Sequence, residues 1–190
     1  MIDSALGLLA AQINAHLKLQ LADEDDCVVL APVVDREGQP NPQTRNQLAL
    51  FVLSVAEVAV TRGVSIGQPR PPLGTAPEPI ESYCLLAADF DPERYADGLG
   101  RLWSASRFFQ ATPVLTAQST PDLPAQIARL STEIKPIPQT EASPLWQGLG
   151  RPMLPSMMLR VQIHALEEQQ TAVEPLIHDP EPNAIERKTP

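Results

Sequence analysis

The chain opens in helical register: Leu6, Leu9, Ile13 and Leu17 recur at spacings of three and four, which places one apolar stripe on a helix that Asp3 or Ser4 can cap. The acidic group at 23–26 ends that helix. Cys27-Val28-Val29-Leu30 follows, and its β-branched content predicts a strand closed by Pro32. Positions 35–47, with Gly38, Pro40 and Pro42, read as loop. The apolar run at 48–60 reads as a strand buried on both faces for much of its length, and hence as the middle of a sheet. Between 62 and 79 prolines and glycines dominate. That stretch holds too little apolar surface to offset its ordering entropy, so an exposed loop is predicted.

Strand character resumes at 83–90, after which Asp91-Pro92-Glu93 supplies an N-cap and a proline at the first helical position. On the helix that follows, Tyr95, Leu99, Leu102, Ser106 and Phe109 share one face with Trp103 alongside, which predicts an aromatic-rich core face. A short strand at 114–117 leads through the turn residues Ser119-Thr120-Pro121-Asp122. The next strand alternates, with Leu130, Thr132 and Ile134 on one side and Ser131, Glu133 and Lys135 on the other. Residues 142–150 read as a short helix begun by Ser143 before Pro144. In the last strand Met157, Leu159, Val161 and Ile163 face inward, leaving Met158, Arg160, Gln162 and His164 on a wet face. Periodic elements stop near Leu166, and the acidic, proline-bearing segment 167–190 predicts a tail without its own core. The resulting expectation is a single α/β domain of the α+β kind over residues 1–166, a mixed sheet flanked by helices.

Composition narrows the function classes. A chain of 190 residues with 43% hydrophobic content can bury one good core, while 21 prolines are about twice the usual share and signal many turns. A net charge of −9 argues against binding to a phosphate backbone, so no nucleic-acid partner is expected. Cys27 and Cys84 stand far apart in apolar contexts and read as buried thiols, which fits synthesis in a reducing cytoplasm. Met1 to Ser4 carry no basic region, and Gln12, Asn14, His16 and Lys18 interrupt the apolar residues that follow, so no secretory signal is read. No run approaches the roughly 20 apolar residues of a membrane span.

Candidate chemistry is sparse. His16, His164 and His178 lack a metal-like neighbour at helical or hairpin spacing, and structural or solvated roles suit them better. No nucleophile elbow, phosphate-binding loop, dinucleotide fingerprint or zinc-protease motif is present. Gly98 and Gly100 form a Gly-x-Gly inside a helix, where close packing against the sheet explains them. The carboxylates at 23–26 lack the spacing of a calcium loop and read as a solvated turn. Trp103, Phe108 and Phe109 read as core rather than as a ligand pocket. The sequence therefore predicts neither an enzyme nor a cofactor or metal site.

Six pieces occur in a fixed order: the Met1-Ile2-Asp3 helix start, the strand at 46–58, the strand end Leu86-Ala87-Ala88-Asp89-Phe90, the helix end Phe108-Phe109-Gln110, the turn at 116–124, and Leu145-Trp146 through Pro155-Ser156. In that order the chain resembles the tail-terminator or cap proteins of phage-tail-like contractile injection systems, among them the anti-feeding prophage and the Photorhabdus virulence cassettes. The resemblance implies a phage tail-terminator-like fold and a homo-hexameric ring seated on the last layer of inner tube and contractile sheath. The implied partners are further copies of the chain, the sheath protein and the inner tube protein. The implied particle is assembled in the cytoplasm and is then released or membrane-associated, any anchoring being indirect. The loop at 62–79 and the tail at 167–190 depart from the family pattern. A monomeric adaptor that docks its partner through the polyproline-like Pro69, Arg70, Pro71 and Pro72 would account for that loop differently. The residues expected to meet a partner are Arg62 and Arg70 of the loop and Arg160, Gln162 and His164 of the last strand's wet face.

Overall fold

Alternating strands separated by one long and two shorter helical patterns condense into an α+β arrangement, a curled mixed sheet of six strands with three helices. The computed structural model describes residues 1–22, 24–57 and 79–166. In chain order the elements are α1 (Ile2–Leu21), β1 (Val28–Leu30), a 3-10 turn (Pro42–Thr44), β2 (Gln47–Glu57), β3 (Ile80–Asp89), a second 3-10 turn (Pro92–Arg94), α2 (Tyr95–Ala111), β4 (Val114–Thr116), β5 (Ile127–Lys135), α3 (Gln139–Gly148) and β6 (Ser156–Ala165). The strand order is β1-β2-β3-β6-β5-β4, with β1 parallel to β2 and the other neighbours antiparallel.

The middle of the sheet is therefore the β3–β6 pair, not β2. Strand β2 is buried on both faces only over Leu48 to Phe51; beyond a bulge between Val52 and Ser54 its side chains come into the open. In β3, Cys84 and Leu86 face α1 and α2 while Leu85 and Ala87 face α3, and all four are 0% exposed. Two cores result. The larger joins α1 and α2 to one face of the sheet through Leu6, Leu9, Ile13, Leu17, Phe108, Phe109, Leu159, Val161 and Ile163. The smaller packs Trp146 of α3 against Ala49, Phe51, Leu85 and Ala87 on the other face. The expected stripe on α1 and the alternations of β5 and β6 are all realised. Cys27 and Cys84 are both buried and unbridged, and desolvation pushes the Cys84 thiol up to about 12.

One polar residue of α1 has a structural task. Asn14 lies among the buried positions, its side-chain oxygen accepting from the backbone N–H of Cys27 at 2.9 Å and of Val28 at 2.8 Å while its Nδ2 donates to the Val28 carbonyl at 3.0 Å. It thus supplies the edge strand β1 with partners on the side where no strand lies. His16, expected on the polar side, instead sets its ring 5.6 Å from that of Phe108 at the α1–α2 contact.

Three helix starts differ from expectation. Helix α1 begins at Ile2, so Asp3 sits inside the first turn and accepts from the terminal ammonium at 2.7 Å. Before α2 a 3-10 turn intervenes, because the Asp91 carboxylate is taken by Arg45 and Asn46 rather than by the helix. Helix α3 begins at Gln139, with the Pro138 carbonyl accepting from Glu141 and Ala142, and Pro144 falls inside it.

Helix α2 also presents a different face from the one its large residues suggested. Gly98, Ser104, Ala105, Ser106, Phe108 and Phe109 are buried, whereas Tyr95 is 52%, Leu99 41% and Trp103 65% exposed. The smallest residues decide this orientation: a Cβ on Gly98 would stand 2.8 Å from the Phe90 ring, so the helix and the end of β3 approach more closely than any other residue permits. Close packing holds for Gly98 alone, since a Cβ on Gly100 would meet only open space. Apart from Pro79, the expected loop at 62–79 lies outside the described residues, as do the tail at 167–190, His178 and Asp23.

Gly98→Ala is expected to destabilise the fold by about 1–3 kcal/mol through overpacking, while Gly100→Ala leaves stability equal or raises it by up to about 1 kcal/mol. Thermal melts of the two variants check this contrast, and equal melting temperatures would contradict it. Asn14→Ala removes the acceptor of the Cys27 and Val28 backbone N–H groups at the start of β1 and is expected to cost about 2 kcal/mol or more in chemical denaturation.

Candidate functional site

The face of the sheet opposite α1 and α2 is longer than α3 can cover. Where α3 lies, the face is apolar; beyond it the side chains turn polar. Strand pairing sets Gln162 opposite Glu81, and Arg160 opposite Tyr83 on one side and Glu133 on the other. Across these strands the charges alternate. Arg160 donates to Glu81 Oε2 from Nε at 2.6 Å, with its Nη2 2.5 Å from the same oxygen, and Gln162 Nε2 donates to that oxygen at 3.0 Å. On the other flank Arg160 Nη1 stands 3.6 Å from Glu133 Oε2, and Lys135 Nζ donates to Glu133 Oε1 at 2.6 Å. The result is a ladder, Lys135–Glu133–Arg160–Glu81–Gln162, across three strands.

Glu81 belongs to the buried residues, and its hydrogen bond from Arg160 holds its carboxyl below the ordinary glutamate value. The same contact raises Arg160. Glu133 is lowered, chiefly by Lys135. Of the residues expected to meet a partner, Arg160 and Gln162 thus converge on one carboxylate. His164 lies farther along the strand, in register with Arg129, and takes no part in the ladder; burial and then the Arg129 charge depress its pKa. Arg62 and Arg70 lie outside the described residues. Glu81 and Glu133 were not singled out from the sequence, because only the non-local strand register reveals that they face Arg160.

A second feature adjoins the ladder at Lys135 and reaches round the end of the sheet. Where the connection after β5, α3 and the segment before β6 meet, a mainly apolar cleft of roughly 430 Å³ opens, lined by Ile137, Trp146, Met153, Leu154 and Met157 among others, with Lys135 and Ser156 as its polar members. A half-buried clamp fixes the approach to β6: Arg151 Nη2 donates to Asp89 Oδ1 at 2.6 Å, and Thr44 Oγ1 donates to Asp89 Oδ2 at 2.7 Å. No group of three or more potential metal-ligating side chains occurs among the described residues. The ladder's acids and bases pair with one another. No helix among the described residues is long and apolar enough to cross a membrane.

The family described as Pvc16 N-terminal domain matches over residues 6–179. The chain belongs to that family. Among solved structures, this Pvc16-type domain is similar to a PVC sheath/tube terminator of an extracellular contractile injection system in its extended state, with TM-score 0.58 and 14% identity; the likeness covers 100% of this chain and 64% of that one. At that identity the likeness is one of fold, and the terminator carries the same class of mixed sheet with helices. The tube-terminating cap of the anti-feeding prophage is also similar, with TM-score 0.48, 14% identity, and coverage of 95% of this chain and 60% of that one. The chain thus spans less than two thirds of either protein's length. No curated protein matches the sequence.

The pairing of Glu81 with Arg160 fixes an expected pH dependence. A carboxyl lowered from its ordinary 4.5 contributes stability in full above that value and loses it as the pH falls through the lowered folded-state value. Arg160→Ala is therefore expected to cost about 1–3 kcal/mol at neutral pH by leaving the buried Glu81 carboxylate with Gln162 but without its cation, with the gap to the unaltered protein closing below pH 4.5. Denaturant titrations at neutral pH and at about pH 3 check this, and a gap of equal size at both would refute it.

Proposed function

We propose that this chain caps the distal end of the inner tube and contractile sheath of a phage-tail-like injection system, acting as a homo-hexameric ring. The observation that carries the reading is the family match across residues 6–179, and the fold likeness to a sheath/tube terminator is in keeping with it. In this reading residues 1–166 form the capping domain, assembly takes place in the cytoplasm, and the role is structural rather than enzymatic. A terminator must bind the last tube and sheath layer on one side while offering no copy of that layer's surface on the other. The polar face bearing Arg160, Gln162 and His164, together with Arg62 and Arg70, is the surface assigned to those partners. Preformed ion pairs there keep side chains oriented before contact, which lowers the ordering cost of binding.

Deleting the protein is expected to leave baseplate and tube initiation intact and to give particles of irregular length or with unstable sheaths. Electron microscopy of the deletion strain reads this directly. Particles in normal number, of uniform length and with an intact distal end, would refute the capping role.

A further inference from the structure

Helix α2 carries an apolar stripe with no cover among the described residues. Tyr95, Leu99 and Trp103 follow one another at successive helical turns, and the largest of them is 65% exposed. One turn farther on the same face stands Arg107, exposed and without an ion pair among the described residues. The cleft beside α3 is the counterpart. It is open and mainly apolar, the one charged lining residue being Lys135, which Glu133 holds, and it is rich in the thioethers of Met153, Met157 and Met158, which adapt their shape to an aromatic ring and make favourable sulfur–ring contacts. Glu141, the neighbour in sequence of the lining residue Ala142 on α3, is exposed and likewise lacks an ion pair among the described residues.

We propose that Trp103 of one copy seats in the Met153–Trp146 cleft of a second copy, with Arg107 meeting Glu141 at the edge. Trp103 is largely exposed and stands outside the cleft's lining, so stripe and cleft do not meet within one chain. Two unlike patches that complement each other make a head-to-tail contact, which repeats from copy to copy and closes into a ring when the rotation permits. An exposed tryptophan entering an apolar pocket beside complementary charges has the composition of an interface anchor. The proposal rests on the capping reading for the ring it would close, while the pairing of the two patches is a property of the isolated protein.

Sedimentation of the full chain tests it with Trp103→Ala, which removes the knob, and Met153→Asp, which spoils the cleft. Both positions are exposed, so unchanged thermal melts are expected and confirm folding. The unaltered chain is expected to form species larger than a dimer at about 0.1 mM, and each variant alone to self-associate at least about tenfold more weakly. An equimolar mixture of the two variants retains one good knob and one good cleft and is expected to give dimers and nothing larger. Arg107→Glu and Glu141→Arg should each weaken assembly and together restore it. A chain that stays monomeric at that concentration, variants that assemble as the unaltered chain does, or a mixture that stays monomeric would overturn the pairing. The capping role is read separately from the deletion strain, so assembly through other residues would sink this contact and leave the cap intact.

Discussion

Strand β3 is paired along both edges and covered on both faces, and the rest of the molecule is arranged around keeping it so. Where helices lie over both faces its side chains are Cys84, Leu85, Leu86 and Ala87, an unbroken apolar run. Where α3 stops, the outer face carries Glu81 and Tyr83 instead. A carboxylate in a central strand loses hydration that only a close, hydrogen-bonded cation can replace, and β6 places Arg160 one diagonal step away. The ladder of charges is thus a consequence of a sheet longer than its cover.

Local periodicity made much of this legible. The α1 stripe and the alternations of β5 and β6 depend on neighbours three, four or two positions apart, which the sequence displays directly. The wet face with Arg160 and Gln162 could be read for the same reason. Four things could not. Asn14 reads as an interruption of the stripe because its partners at Cys27 and Val28 come from another element. The orientation of α2 is set by Gly98 against Phe90, whereas a pattern of apolar residues weights the large side chains that in fact point outward. The place of β2 follows from strand order, and pairing between distant segments leaves no periodic trace. Glu81 falls in the same category, since its meaning comes from the register with β6.

The two sides of the sheet divide the labour of the fold. On one, α1 and α2 bury a continuous core and leave the back of α2 and the end of α1 at Leu19 apolar in the open. On the other, a small helix around Trp146 and the Asp89–Arg151 clamp hold a short apolar patch next to a polar one. The capping role proposed above requires such unlike surfaces, because directional growth or its termination demands that the two ends of a subunit not be interchangeable.

The buried Cys84 thiol bears on chemical durability. With its pKa at about 12, only on the order of one molecule in 10⁵ carries the reactive thiolate at neutral pH, and helices or neighbouring strands shield the sulfur from both sides. Cys27 is equally sunk in the α1 core. Such thiols neither exchange disulfides nor climb the oxidation ladder while the fold is intact. A cysteine pair that looked like a mark of the reducing cytoplasm is, once folded, indifferent to the redox state of its surroundings, and the same subunit would survive passage into an oxidising one without any covalent trace of the journey.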